Sequence, residues 1–239
     1  NMDEGWTRLI LEQFEFPYKT VLNPKIRKGN LNGDFDVIIL PDMKTKQIIE
    51  GRKKEKPDIY TPEMPRPYQS GITDEGVENL KAFVEKGGTL ITLDSACDFA
   101  IEKLGLPVEN VLKEVQAEDF FCPGSLLEIY VDNAEPIGYG MPTKAAAMIV
   151  NSPAFLPKAW ARRTGVVAHY PQYNPLLSGW ILGEEKIRSR CAVLDVPMGE
   201  GRVVLIGFKA QNRAQTHGTY KFLFNAIQLS CAEEIVLEK

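Results

Sequence analysis

Histidine is the scarcest chemistry-bearing residue in this 239-residue chain, with His169 and His217 alone. That scarcity restricts metal and general-base chemistry, since a catalytic zinc needs three protein ligands and histidine is the usual one. The four cysteines, Cys97, Cys122, Cys191 and Cys231, are widely scattered, and no pair has the CxxC spacing of a zinc knuckle. They read as free, partly buried thiols and leave the redox compartment open. No run of about 18 apolar residues is present, which excludes a helical membrane span, and the first residues do not read as a signal peptide. Positive charge is not in excess. There are 28 Lys and Arg against 32 Asp and Glu, a net charge of -4, and the sharpest basic run, Arg52-Lys53-Lys54, sits between Glu50 and Glu55. No nucleic-acid partner is expected from that balance. What is present is ordinary for a folded domain: 44% hydrophobic and 25% charged residues, enough to bury a core in one large α/β domain or a domain with an insertion.

The most informative stretch runs over residues 87–105, Gly-Gly-Thr-Leu-Ile-Thr-Leu-Asp-Ser-Ala-Cys-Asp-Phe-Ala-Ile-Glu-Lys-Leu-Gly. Gly87-Gly88 closes a preceding helix, where a positive φ is needed. Residues 89–93 are a β-branched and aliphatic run of strand length. Asp94 and Ser95 have the side chains that cap a following helix, and Gly105 stops it. A strand-to-helix elbow at the C-terminal edge of a parallel sheet is where α/β proteins place their chemistry.

Around this elbow the chain reads in order as follows. Asp3 is a candidate N-cap for a helix through Trp6, Leu9, Ile10 and Phe14 that Pro17 stops. No strand precedes that helix, so a first strand is expected to be missing or to lie upstream of a C-terminal fragment. Residues 18–22 form a strand candidate, and residues 35–40, with Val37-Ile38-Ile39-Leu40, a stronger one suited to burial on both faces. A short helix over 45–50 leads into a Pro-rich segment with Pro57, Pro62, Pro65 and Pro67, whose Tyr60, Arg66 and Tyr68 suit either protein recognition or a solvated loop. Asp74 caps a helix with Val77, Leu80, Phe83 and Val84 inward. After Pro107 short strands and turns take over, with the hairpin signal Met198-Gly199-Glu200-Gly201 joining strands at 191–196 and 202–208. Thr216 caps a last helix. The expected architecture is α/β, a three-layer, doubly wound, mostly parallel sheet, with an antiparallel β insertion roughly over 115–190.

The order of these segments, with Phe35-Asp36-Val37-Ile38-Ile39-Leu40-Pro41 and then Leu80-x-x-Phe83-Val84-x-x-Gly87-Gly88-Thr89-Leu90 before the elbow, resembles the class I glutamine amidotransferase-like superfamily, a flavodoxin-like fold. More narrowly, Met2-Asp3-Glu4-Gly5-Trp6-Thr7-Arg8, Phe121-Cys122-Pro123-Gly124-Ser125, Gly138-Tyr139-Gly140-Met141-Pro142, Asn174-Pro175-Leu176-Leu177-Ser178-Gly179-Trp180, Gly201-Arg202-Val203-Val204-Leu205-Ile206-Gly207-Phe208 and Gln215-Thr216-His217-Gly218-Thr219 look like segments of the C-terminal domain of certain bacterial zinc carboxypeptidases. The resemblance implies that residues 1–239 are one amidotransferase-like domain and that a peptidase domain lies upstream in the same polypeptide. It also implies that zinc belongs only to that upstream domain, and that a signal for secretion or the periplasm lies upstream as well. No metal site is expected within this chain, since neither histidine stands in an HxxE pair.

Amidotransferases carry a Cys on the strained elbow and a histidine behind the last strand. Counting back from Gly105 puts Ser95, and not Cys97, at the nucleophile position, and Lys209-Ala210-Gln211-Asn212-Arg213 follows the late strand without a histidine. The reading is therefore an accessory, non-catalytic domain of a zinc carboxypeptidase. Two alternatives stay open. One is a small hydrolase or amidase using Ser95 or Cys97. The other is a small-ligand or sugar-binding module whose crevice draws on Asp94, Gln211, Arg213 and His217, with Arg213 as an anion partner. Self-association is open too. His169, beside Tyr170 in an apolar strand, reads as a structural histidine.

Overall fold

A computed structural model describes residues 1–51 and 68–232. Pro57, Pro62, Pro65, Pro67, Tyr60 and Arg66 of the Pro-rich segment lie outside the described residues. Helix α1 (Met2–Gln13) is capped by Asn1 rather than Asp3: the Asn1 side chain accepts from the Asp3 N–H at 3.0 Å. Asp3 and Glu4 occupy the first turn, where carboxylates favour the helix dipole. The buried stripe is Thr7, Ile10 and Leu11, so Trp6 and Phe14 stand off the core. The strand expected over 18–22 does not form. Pro24, whose locked φ suits a first helical turn, instead starts α2 (Asn23–Lys28).

Strand β1 (Val37–Leu40) and helix α3 (Thr45–Glu50) follow as expected. Helix α4 (Thr73–Glu85) buries Val77, Leu80, Phe83 and Val84, the stripe its 3.6-residue spacing predicts, with Asp74 inside its first turn rather than at the cap. It ends in a Schellman turn: Gly88 N–H donates to Phe83 O and Gly87 N–H to Val84 O, both at 3.0 Å, with Gly87 at φ +102. A Cβ on Gly88 would lie 2.4 Å from the Phe83 ring, so the second glycine lets the helix press on the strand it feeds. That strand, β2 (Thr89–Leu93), is buried at all five positions, and α5 (Ala96–Lys103) leaves it after the elbow.

The β-rich stretch contains β3 (Val108–Asn110), β4 (Ser125–Val131), β5 (Lys144–Ile149), β6 (Phe155–Pro157), β7 (Gly165–His169) and β8 (Leu176–Ser178). It is followed by β9 (Cys191–Met198), β10 (Gly201–Ile206) and α6 (Tyr220–Leu229). Helix α6 starts four residues after Thr216, beyond a 3-10 turn at His217–Thr219. Among the described residues the sheet runs β1-β2-β10-β9-β7-β4-β5, with β3, β6 and β8 attached at the side.

Among these strands only β1–β2 and β2–β10 pair in parallel; every other pairing is antiparallel, which corrects the expectation of a mostly parallel sheet. The cause is local. Parallel neighbours need a crossover of a dozen residues or more, usually helical. Gly199-Glu200 instead turns β9 straight into β10, with Gly201 opposite Met198. The strands between 115 and 190 are joined by turns. That stretch is antiparallel as expected.

Helices cover both faces of the parallel part. Leu90, Val203 and Leu205 pack with Leu80, Phe83, Phe99 and Ile26 on one side. Ile91, Val204 and Ile206 pack with Ile10, Phe222 and Leu223 on the other. The C-terminal ends of β1, β2 and β10 therefore open side by side between the layers.

Candidate functional site

Three strand ends meet at one edge, and each is followed by a charged residue. Asp42 stands two residues beyond β1, Asp94 directly beyond β2, and Lys209 three beyond β10. Asp94 takes the strained position of the elbow, at φ +51, a left-handed conformation that Asp tolerates better than most residues. Ser95 is ordinary helical backbone at φ -61. The expectation that Ser95 holds the elbow's special position is thus off by one residue.

Asp94 is 1% exposed. Its N–H donates to Ile206 O at 2.8 Å and its carbonyl accepts from Cys97 N–H at 3.0 Å, which fixes strand, elbow and helix together. Its Oδ2 accepts from Ser152 Oγ at 3.1 Å and lies 3.5 Å from Lys209 Nζ. Lys209 also hydrogen-bonds Asp42 Oδ2 and lies 3.6 Å from Asp3 Oδ1. One ammonium therefore serves three carboxylates. Burial, and then the Asp42 charge, push the Asp94 carboxyl up to about 7, against the pull of Lys209 and Ser152. For Lys209, burial works downward, but Asp94, Asp42 and Asp3 together outweigh it and hold the ammonium charged.

Ser95 is half-buried and its side chain makes no cap bond to α5. Its backbone N–H donates to Asp42 Oδ1 at 3.2 Å instead, so a carboxylate from the next strand satisfies the helix end. Ser95→Ala should for that reason change stability by less than about 0.5 kcal/mol, against the ~1 kcal/mol typical of a working N-cap. Urea unfolding at pH 7 checks this, and a loss near 1 kcal/mol would restore Ser95 as the cap. Beside Ser95 a cleft of about 630 Å³ opens between Asp3, Asp42, Gln47 and Lys44.

Cys97 does not face this cleft. It is wholly buried, with Sγ 3.3 Å from Thr92 Oγ1 and close to the carbonyls of Thr92 and Ile206. Burial holds its thiol well above the usual range, so it is a poor source of thiolate. Gln211 is buried and joins the edge of the cluster: its Nε2 donates to Asp3 O at 3.2 Å and to Thr7 Oγ1 at 3.1 Å. Arg213 and His217 are exposed, and no contact joins either to Asp94, Ser95 or Lys209 among the described residues. The His217 ring stacks on Tyr220 at 5.1 Å. His169 likewise stacks on Tyr130, at 5.6 Å and far along the sheet. Among the described residues no group of three or more His, Cys, Asp or Glu could hold a metal ion, and no helix is long and apolar enough to cross a membrane.

With that geometry in view, comparison with known proteins adds a fold. A cytoplasmic protein from Salmonella typhimurium superposes with a TM-score of 0.56 at 13% identity, over 94% of this chain and 85% of that one. A putative ThuA-like protein from Bacteroides uniformis superposes with a TM-score of 0.51 at 9% identity, over 95% of this chain and 82% of that one. The chain shares an α/β fold with the ThuA-like protein. At these identities the likeness reaches no further than the fold, and it does not point to a zinc carboxypeptidase. A putative GMP synthase protein from Thermoplasma acidophilum also matches, at a TM-score of 0.41 over 66% of this chain, too low to carry an argument. No protein-family model matches the sequence, and no curated protein matches it.

The residues that sequence reasoning missed are Asp3 as a partner of Lys209, together with Asp42, Ser152 and Lys209 itself. One signal was available. Charged residues just beyond the ends of adjacent parallel strands converge at one sheet edge, and Pro41-Asp42 and Phe208-Lys209 are such positions.

Proposed function

We propose that this chain is a non-catalytic, amidotransferase-like domain that accompanies a zinc carboxypeptidase, in which the elbow has become an internal ionic junction. The observation that carries the reading is the identity of the elbow residue. Elbow enzymes put the nucleophile on the strained turn and use the next residue's N–H to stabilise an oxyanion. Here the turn residue is Asp94, ion-paired to Lys209, and the next N–H, that of Ser95, is already taken by Asp42. A carboxylate in that place repels an oxyanion. The link to a peptidase rests on the sequence segments given above and on nothing else.

Exposure of the folded chain to a fluorophosphonate and to iodoacetamide, followed by peptide mass analysis, tests the reading. Neither Ser95 nor Cys97 should be modified, whereas Cys231, which is exposed, should be alkylated; rapid modification of Ser95 or Cys97 would overturn it. The same preparation should carry no stoichiometric zinc and release no C-terminal residue from peptides, and zinc with peptidase activity would contradict the accessory role.

A second reading, a small-ligand module, is favoured by the 630 Å³ cleft beside Ser95. Its wall mixes Asp3 and Asp42, both already facing Lys209, with Lys44, Gln47 and Ser95, which suits a polar ligand, and Arg213 stands apart from it.

A further inference from the structure

The parallel end of the sheet is open. Among the described residues β1 pairs with β2 alone. Val37-Ile38-Ile39-Leu40 is a continuous apolar run of the kind that parallel sheets bury on both faces, yet only Ile38 is buried, against all five residues of β2. Thr89 N–H donates to Asp36 O at 2.9 Å. Backbone groups alternate in direction along a strand, so those of Ile38 face β2 and those of Val37 and Ile39 face away. Neither of these two makes a backbone bond on that side among the described residues. An apolar edge of this sort is ordinarily paired or covered. Beside the entry to β1 a cleft of about 650 Å³ is lined by Thr20, Val21, Leu22, Pro24 and Phe35. Leu22 is extended there, at φ -92 and ψ 156, and residues 18–22 have no strand partner. At the far end of β1, Asn1 Nδ2 donates to Asp42 O at 2.8 Å. Helix α1 therefore starts where β1 ends. A strand leading into α1 through the usual βα loop of about two or three residues runs parallel to β1.

We propose that a strand of about five apolar residues, contributed by the polypeptide directly ahead of Asn1, lies parallel to β1 in this cleft and completes the sheet. It covers Val37 and Ile39, bonds their backbone groups, and offers residues 18–22 the partner they lack. The proposal rests on one part of the proposed function, that further polypeptide lies upstream, and is indifferent to what that polypeptide catalyses. Direction separates this occupant from a second copy of the chain. Two copies joined at this edge by a two-fold axis would pair β1 with itself, antiparallel, whereas a strand tied to Asn1 is parallel. The strand also fixes where the upstream polypeptide enters: beside Phe35, at the opposite end of the strands from Asp94 and Lys209. The ionic junction and its cleft stay clear of that entry.

Amide hydrogen exchange at one pH, on residues 1–239 alone and on the polypeptide that carries its own residues ahead of Asn1, reads the edge. In residues 1–239 the Val37 and Ile39 amides should exchange much faster than that of Ile38. In the longer polypeptide that gap should close by about a hundredfold, and nuclear Overhauser contacts should join residues ahead of Asn1 to β1 in parallel register. A gap unchanged in the longer polypeptide would overturn the proposal, and so would a uniform slowing of all three amides, which is global stabilisation. Protection of Val37 and Ile39 in residues 1–239 alone would overturn it as well. If that protection rises with protein concentration the occupant is a second copy, and if it is lost on removing residues 233–239 it is the chain's own tail. A parallel strand in a longer polypeptide without peptidase activity would sink the peptidase link and leave the strand standing.

Discussion

Asp94→Asn should remove a downward slope of stability between about pH 4 and pH 7. The folded Asp94 carboxyl titrates near 7, against an ordinary value of 3.8. Between those values the folded state holds a proton that the unfolded state has lost, so stability falls as pH rises through this window. The contribution is fully present below about pH 3.8, is lost as pH rises through about 7, and is flat above. Three units correspond to about 4 kcal/mol as an upper figure. The asparagine variant has no proton to lose, so the difference between the two proteins isolates Asp94 from every other carboxylate. Urea unfolding of both at pH 4.5, 6 and 8 checks it. The variant should gain on the wild type with each step, and parallel profiles would show that Asp94 titrates normally.

Lys209→Met should be the costliest change at this site, about 3–5 kcal/mol at pH 8, because it leaves the buried Asp94 and the half-buried Asp42 with no cation among the described residues. Asp94 and Asp42 would then face each other across the space the ammonium filled, and Ser95 N–H alone would remain to satisfy Asp42. At pH 5 the penalty should shrink, since Asp94 can take up a proton. Removing Lys209 also removes the main influence that lowers the Asp94 carboxyl, so its midpoint should move further up. Adding Asp94→Asn to Lys209→Met should recover part of the loss at pH 8, a coupling expected of residues in direct contact. Thermal or urea unfolding of the single and double variants measures all of this. A cost near zero at pH 8 would mean that Lys209 is a solvated side chain.

What the sequence made legible was what depends on near neighbours. Gly87-Gly88, the strand Thr89–Leu93, the buried stripe of α4 and the turn at Gly199-Glu200 all follow from residues a few positions apart. Each formed where expected. No strand forms over 18–22 because a stretch as short and mixed as Tyr18-Lys19-Thr20-Val21-Leu22 does not bring its own partner, and Pro24 commits the next residues to a helix. The sheet is not mostly parallel because the β-helix-β order of the first hundred residues does not extend to β9, which reaches β10 by a hairpin.

The site was half legible. The elbow was found, but its strained residue depends on one φ angle, and Asp94 and Ser95 are both plausible caps by type. The partners lie far off in sequence: Asp42 is 53 residues from Ser95, and Ser152 is 58 from Asp94. The position of Asp42 just beyond a strand end hints at the first pair, and nothing local marks the second. Arg213 and His217 stand with other polar residues just before the last helix, where a crevice is expected, yet the turn after β10 carries them to the surface.

The claim on which the rest depends is that a buried, proton-holding acid stands where an elbow enzyme keeps its nucleophile. Carbon-13 NMR of the Asp side-chain carboxyls, with Asp94 assigned by its absence from the Asp94→Asn spectrum, follows that group directly from pH 3 to pH 9. A midpoint near 7 is the expected result; a midpoint at the ordinary 3.8 would contradict it, and the pH slope would fall with it.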